Sequence, residues 1–315
     1  MKIVEDIKRV IVPYEQLVEG LNLARDLGYT ELVVSVSPPS NMWEKTKIDL
    51  SKITEYRFLE FVGISGMTGY AQYPINLLFL SDLPNLKSIW LDLLGDCIID
   101  FGEMKKLQKV DLSWCSQFSN FNSLSTLIEL RIEGYNKSSL EDFGQMKDLK
   151  KMILWDPTIN SLTGIDGCIS LNYMDVFRAK KLHSLKGIER LNELEYLHIL
   201  SCPKLLDISA VFELENLRVL KIEKCKSIKE ISLVEESSIE CLHLDSIDNL
   251  RFISKMPKLK QLHFENIENG DLSPLLGHPT LSDVDFPNKK KYTHTRLEIV
   301  NSLKNNRTLE IGASE

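Results

Sequence analysis

His198, His243 and His263, with Asp245 and Glu265 each two places behind the last two, are the side chains of this sequence best suited to chemistry. Imidazole nitrogens and carboxylate oxygens are ligand types that zinc selects, so a metal-dependent enzyme is one reading of them. Brought side by side, His243 and His263 would share an ion with the carboxylates next to them. The competing expectation, a solvated polar row, is preferred because equivalent positions are polar throughout this half of the chain. The six cysteines (Cys97, Cys115, Cys168, Cys202, Cys225, Cys241) are too dilute for a disulfide scaffold and form no C-x-x-C pair, so they read as reduced thiols in a cytoplasmic setting. There is no G-x-x-x-x-G-K-[ST], H-E-x-x-H or G-x-S-x-G, and no zinc-type Cys/His spacing. The glycine-rich stretch from Gly63 to Gly69 lacks the strand-then-helix context of a phosphate cradle and reads as a loop. The expectation is a chain without catalysis and without a cofactor.

A formal net charge of -7 argues against a nucleic-acid partner, which needs clustered Lys and Arg, and Lys289 to Lys291 read as a solvated turn. No apolar stretch approaches the ~18–20 residues of a membrane span, and "MKIVEDIKRVIVPYEQ" interrupts its hydrophobics with charges where a signal core would not.

The elements that must position these residues follow from a repetition. "LHILSCPKLLDIS" at 197–209 is nearly rewritten as "LKIEKCKSIKEIS" at 220–232, with the cysteine held in place. On a frame L-x-x-L-x-L, in which any large apolar residue stands for L, starts fall at Leu59, Leu86, Leu107, Leu127, Leu149, Leu171, Leu194, Leu217, Ile239, Leu259 and Leu281, about 22 residues apart. The fourth and sixth positions, from Val62 and Ile64 through Val284 and Phe286, contain no polar residue. A further apolar column lies three places before each start, broken at Glu236 and His278. D-[L/I]-S recurs at Asp49, Asp207 and Asp271.

Recurrence in register over roughly 49–290 resembles the leucine-rich repeat. That resemblance implies an α/β repeat fold: a right-handed, curved solenoid with a parallel sheet on the concave face and terminal caps. The spacing supplies the physics. Fourth and sixth residues share one face of a strand, and the third, fifth and seventh share the other. A short strand cannot bury its apolar face alone, so coils must stack. Turns of 20 to 23 residues leave no room for long return helices, and 3₁₀ turns are expected there. Position nine holds Cys115, Cys202 and Cys225, with Ala179, Ile247 and Ile267 in other coils. The family usually places Asn here, or Cys in a subclass that includes substrate-recognition subunits of ubiquitin ligases; an inward-packed thiol is expected.

Residues 1–48 read as an N-terminal cap, with a helix carrying Leu17, Leu21, Ala24 and Leu27 up to Gly28, then the strand "TELVVSVS". The prolines of "SVSPPSN" mark a linker. Residues 49–290 carry the repeats, and 291–315 form a helical lid with Leu297, Val300 and Leu303 turned inward.

Function is expected on the outward sheet positions, which have no structural duty. Aromatic, aliphatic and cationic side chains gather there: Trp90, Trp114, Arg131, Ile153, Trp155, Tyr173, Phe177, Arg178, Tyr196 and Leu200. Such residues dominate binding hot spots, which points to another protein as the partner. Farther on the outward residues turn charged. The extra length between Leu59 and Leu86, "GMTGYAQYP", would put Tyr70 and Tyr73 at the groove's rim. Internalins resemble the short repeat but are exported and surface-anchored, and no anchoring feature is seen here. An inhibitor or immunity-type protein that neutralises an enzyme or toxin is the alternative.

Overall fold

The start, fourth and sixth residues of all eleven frames are buried, none of them more than 4% exposed. The apolar columns therefore face inward together, as the period requires. The computed structural model describes residues 1–36, 48–66, 74–93, 97–233 and 235–312, with 305–312 described by backbone only. The expected linker at Pro38 and Pro39, and Tyr70 and Tyr73, lie outside the described residues.

The chain forms two compact units, one of Met1–Asn136 with Asp142–Trp155 and one of Lys137–Glu141 with Asp156–Glu315. In unit 1, β1 (Lys2–Val4) pairs antiparallel with β2 (Arg9–Pro13). From β2 the ladder runs parallel through β3 (Glu31–Val36), β4 (Phe61–Gly66), β6 (Ser88–Leu93), β8 (Lys109–Ser113), β10 (Glu129–Glu133) and β11 (Lys151–Trp155). A second small ladder joins β5 (Ile75–Asn76), β7 (Cys97–Asp100) and β9 (Phe118–Ser119) on the return segments. In unit 2, β12 (Tyr173–Phe177), β13 (Tyr196–Leu200), β14 (Val219–Glu223), β15 (Cys241–Ile247), β16 (Gln261–Ile267) and β17 (Asp283–Asp285) pair parallel in sequence order. In both units the register sets fourth against fourth and sixth against sixth, so each column buries its neighbour.

Turn chemistry returns the chain. The D-[L/I]-S motif has a clear duty: the Asp207 carboxylate accepts the Ser209 N–H at 3.0 Å and Asp271 accepts that of Ser273 at 2.9 Å, opening the 3₁₀ turns Ser209–Glu213 and Ser273–Leu275. Asp49, Asn76 and Asn249 do the same for Ser51, Leu78 and Arg251. The short turns expected between strands are these.

At position eight the backbone turns left-handed, at Gly134 in unit 1 and at Asp156, Arg178, Ser201 and Lys224 in unit 2. Each of these N–H groups is accepted by the seventh-position carbonyl of the next coil in the cases Gly134 to Trp155 (2.8 Å), Asp156 to Phe177 (2.9 Å), Arg178 to Leu200 (2.8 Å) and Ser201 to Glu223 (2.8 Å). After this kink the position-nine residues Ala179, Cys202 and Cys225 are buried; Cys115, Ile247 and Ile267 are buried too, without a left-handed residue before them. The thiols do what a polar position-nine side chain would do: Cys115 donates to the Cys97 carbonyl at 3.2 Å and Cys225 to that of Glu223 at 3.3 Å, while the Cys202 N–H reaches the Cys225 sulfur at 3.4 Å.

The two breaks in the outer apolar column share one cause. In the other coils the start residue's N–H meets the carbonyl three places back, as Leu194 does with Leu191 at 2.9 Å and Leu259 with Met256 at 3.0 Å. Where the column fails, a side chain takes over: Ser237 Oγ accepts from Ile239 at 3.4 Å and His278 Nδ1 from Leu281 at 3.2 Å.

The N-terminal helix α1 spans Leu17–Leu27 and buries Leu17, Leu21 and Ala24. It packs on β2 where Gly20 has no Cβ; one built there would sit 2.1 Å from Val12 Cγ1. The expected helix and strand are joined by β2, which the sequence reading did not single out, so the segment begins the parallel ladder itself. At the other end α2 (Arg296–Gly312) buries Ile299 and Leu303, whereas Leu297, expected to point inward, is 69% exposed. Residues 299 and 303 are four apart and share a face; Leu297 lies on another.

Candidate functional site

In unit 1 the fifth positions form a row across the sheet, with Gly63, Trp90, Asp111, Arg131 and Ile153 in register. Gly63 makes room for the indole. A Cβ at that position would lie 3.0 Å from Trp90 Cε3 and 2.9 Å from Val33 Cγ2, so Trp90 lies over bare backbone. Beside it opens a depression of about 540 Å³ walled by Arg9, Phe61, Lys109, Asp111, Arg131 and Ile153. Its charges are cross-strand pairs: Lys109 with Glu129 at 2.8 Å, Arg131 with Asp111 at 3.3 Å, Arg9 with Glu31 at 2.7 Å. The Arg9 guanidinium stands 4.2 Å over the Phe61 ring and that of Arg131 5.8 Å from Trp155. Burial pushes the Asp111 carboxyl above its ordinary range, only partly offset by Arg131. Trp90, Ile153 and Trp155 are half-buried and Arg131 is exposed, the state of anchors with one side still open.

Trp114 lies elsewhere. It keeps a negative φ at position eight and packs edge-on against Phe118, Phe121 and Tyr135 at 5.5, 5.5 and 4.7 Å. That stack continues to the buried Phe143 and Tyr135, so the half-buried Trp114 leans over the coil interior from beyond the end of β8 and stands off the outward rows of the sheet.

In unit 2 the outward rows begin aromatic and turn ionic. Tyr173 and Tyr196 stack face to face at 4.5 Å, and the Tyr173 hydroxyl donates to Asp175 at 3.0 Å. Burial, then the Asp175 charge, raises the Tyr173 phenol above its usual range. Leu200 is half-buried and Arg178 exposed, the latter paired with Asp156 at 2.5 Å. Phe177, expected to face solvent, is only 8% exposed: its ring packs edge-on against His198 at 5.1 Å. Phe177 thus floors this face.

The histidines occupy the outward fifth positions, as the frame places them. His198 lies 3.3 Å from Glu223 and 3.9 Å from Asp175; His263 lies 3.4 Å from Glu265 and 3.2 Å from Asp285. His243 is 3.6 Å from Glu223, and its ring centroid stands 5.2 Å from that of His263. Among the described residues no three His, Cys, Asp or Glu side chains converge as a metal ion requires. The imidazoles are spread among the carboxylates as a ladder of pairs.

No protein-family model and no curated protein matches the sequence. Solved structures do match in shape. An internalin, inlF, from Listeria monocytogenes superposes with a TM-score of 0.59 at 17% identity, over 90% of this chain and 88% of that one. The fold is that of a leucine-rich repeat protein. The functional domain of InlJ from Listeria monocytogenes, described as including a cysteine ladder, gives 0.55 at 14% identity over 81% of this chain and 59% of that one. TLR13, solved as a complex with ssRNA13, gives 0.56 at 17% identity over 90% of this chain and 47% of that one. The chain thus spans about half to three-fifths of the latter two.

Two features of these sheet faces are not evident from the repeat frame alone. Phe61 and Arg9 join the unit 1 depression from strands assigned to the first repeat and the cap. Gly63, read only as part of a loop, sits in β4 under Trp90. The signal for it was a glycine at a fifth position, inside the frame's strand.

Proposed function

We propose that the chain is a non-catalytic module that holds another protein against the sheet faces of its leucine-rich repeats. The observation that carries this is the unit 1 depression, where Trp90, Asp111, Arg131 and Ile153 stand in register on four successive hydrogen-bonded strands, the rings and aliphatic chains with their outer sides open. Side chains fixed on such a ladder lose little freedom when a partner arrives, which lowers the cost of association. In unit 2, Tyr173, Tyr196, Leu200 and Arg178 offer the corresponding contacts. A role as inhibitor of a bound enzyme would use the same residues and would show as loss of the captured protein's activity. A reducing compartment suits the position-nine thiols, whose hydrogens serve backbone carbonyls.

The test is capture of the partner from the native cell by the purified protein, repeated with the double variant Trp90→Ala, Trp155→Ala. The variant is expected to keep its far-UV circular dichroism spectrum and lose the partner. Capture at wild-type yield would overturn the proposal.

A further inference from the structure

Within β14 to β17 the outward fifth- and seventh-position side chains are, apart from Lys221, all acidic or imidazole, while the third positions hold Val219, Cys241, Gln261 and Asp283. Glu223, Asp245, Glu265, Asp283 and Asp285 stand on these strands with the ammonium of Lys221 among them. Neighbouring strands lie only ~4.8 Å apart, so these carboxylates crowd one another. Few of them meet a permanent cation. Glu223 faces the imidazoles of His198 and His243, Glu265 faces that of His263, and Asp245 accepts the Cys225 N–H at 2.7 Å. The cations that the chain itself brings here show how the face is filled. Arg296, at the start of α2, reaches Asp285 at 2.6 Å, and the Lys221 ammonium stands 5.7 Å from the Tyr196 ring centroid.

We propose that this face of unit 2 receives a basic segment of the partner protein, with Arg or Lys side chains set over Glu223, Glu265 and Asp283 and against the Tyr173–Tyr196 pair. The proposal deepens the binding reading above and rests on it only in placing a partner on the sheet; it uses other residues. Charge complementarity of this sort sets which partner is accepted and how fast it arrives. It also makes the grip sensitive to acid, since imidazole is the side chain that titrates near neutrality. His198 faces Asp175 and Glu223. His243 faces Lys221, Glu223 and His263. His263 faces His243, Glu265 and Asp285, the last already paired with Arg296. Protonation of His243 places positive charge beside Glu223, where a cation of the partner would sit. Burial, with Lys221 and His263 nearby, holds His243 below its ordinary range, so it takes up its proton at a lower pH than a free imidazole does.

The experiment titrates the full chain with a fluorescent nona-arginine peptide at about pH 7.5 and about 50 mM salt, where screening is weak. Nona-glutamate and a Gly/Ser nonamer serve as comparisons. Saturable binding of the arginine peptide alone is expected, weakened about tenfold or more in the variant Glu223→Gln, Glu265→Gln, Asp283→Asn and weakened again at about pH 5.5. The variant Glu193→Gln, Glu213→Gln, Glu215→Gln, with the same change of charge on the return segments, is expected to bind within about twofold of wild type. Circular dichroism checks that both remain folded. Equal weakening in the two variants, binding of the acidic peptide as well as the basic one, or no saturable binding overturns the proposal. The Trp90→Ala, Trp155→Ala variant should bind the arginine peptide normally, so this test and the capture experiment can fail independently.

Discussion

Replacing His278 should damage the last coil in a manner that acid reproduces. The residue is 7% exposed and its Nδ1 accepts the Leu281 N–H at 3.2 Å, in the place that a Leu, Met, Cys or Tyr fills in other coils. An accepting Nδ1 puts the ring's proton on Nε2. In His278→Ala a buried N–H loses its acceptor and the ring leaves a void, together costing about 2–4 kcal/mol. His278→Met restores the column's apolar filling and should stay within about 1 kcal/mol of wild type, with the Leu281 N–H returning to the carbonyl three places back. Burial holds the imidazole below its usual 6.5 in the fold, so the unfolded chain binds the proton more tightly. The contribution is therefore complete above the ordinary value and is lost as pH falls through the lower folded one. Hydrogen exchange at the Leu281 amide reads the coil locally, and at 1.4 kcal/mol per tenfold the Ala variant should exchange about 30- to 1000-fold faster. Urea unfolding across the same pH range follows the whole. Wild-type exchange in His278→Ala, or an acid dependence in His278→Met equal to that of wild type, would refute this account.

Asp207→Ala and Asp271→Ala each remove the acceptor that opens a 3₁₀ turn and should cost about 1 kcal/mol by urea unfolding. Both carboxyls are held below their usual range by Ser209 and Ser273 respectively, so the stabilisation stands above the ordinary carboxylate value and fades as pH drops through the depressed one; an unchanged urea midpoint would speak against the role. Leu197→Ala, at a fully buried fourth position, should lose about 2–5 kcal/mol, while a cost below about 1 would mean the column is not packed. With maleimide near neutrality, Cys241, the half-buried thiol of the six, should react well ahead of the others, although burial raises its pKa; mass spectrometry after brief labelling would show a different first site if the inward placement of position nine were mistaken.

How far the sequence reveals this molecule depends on the range of the interaction. The frame was readable because each coil repeats one local rule: Leu130, Leu197 and Leu220 are buried for the same reason in every row. Position nine was equally readable, since its cysteines fall where the chain must turn inward. The candidate contacts were only partly so. Trp90, Ile153, Trp155, Tyr173 and Tyr196 lie on the outward rows, but Trp114 and Phe177 are drawn in by Phe118, Tyr135 and His198, neighbours that no spacing rule brings to them. His278 and Glu236 registered merely as gaps, because the hydrogen bonds of His278 and Ser237 to a start residue's N–H depend on ring and hydroxyl geometry. At the C-terminus, Leu297 and Ile299 are equally apolar, and the packing of α2 decides between them.

The left-handed residue that follows five of the strands carries a trade-off. Asp156, Arg178, Ser201 and Lys224 hold φ values of 49° to 59°, a conformation that glycine adopts freely and that costs other residues about 1–2 kcal/mol. Only Gly134, in unit 1, is relaxed there among the five. Glycine exchanged into the four strained sites would give a tougher protein with a blanker edge, shorn of the Asp156–Arg178 pair and the Lys224 ammonium. The molecule keeps those groups on display at the expense of ruggedness.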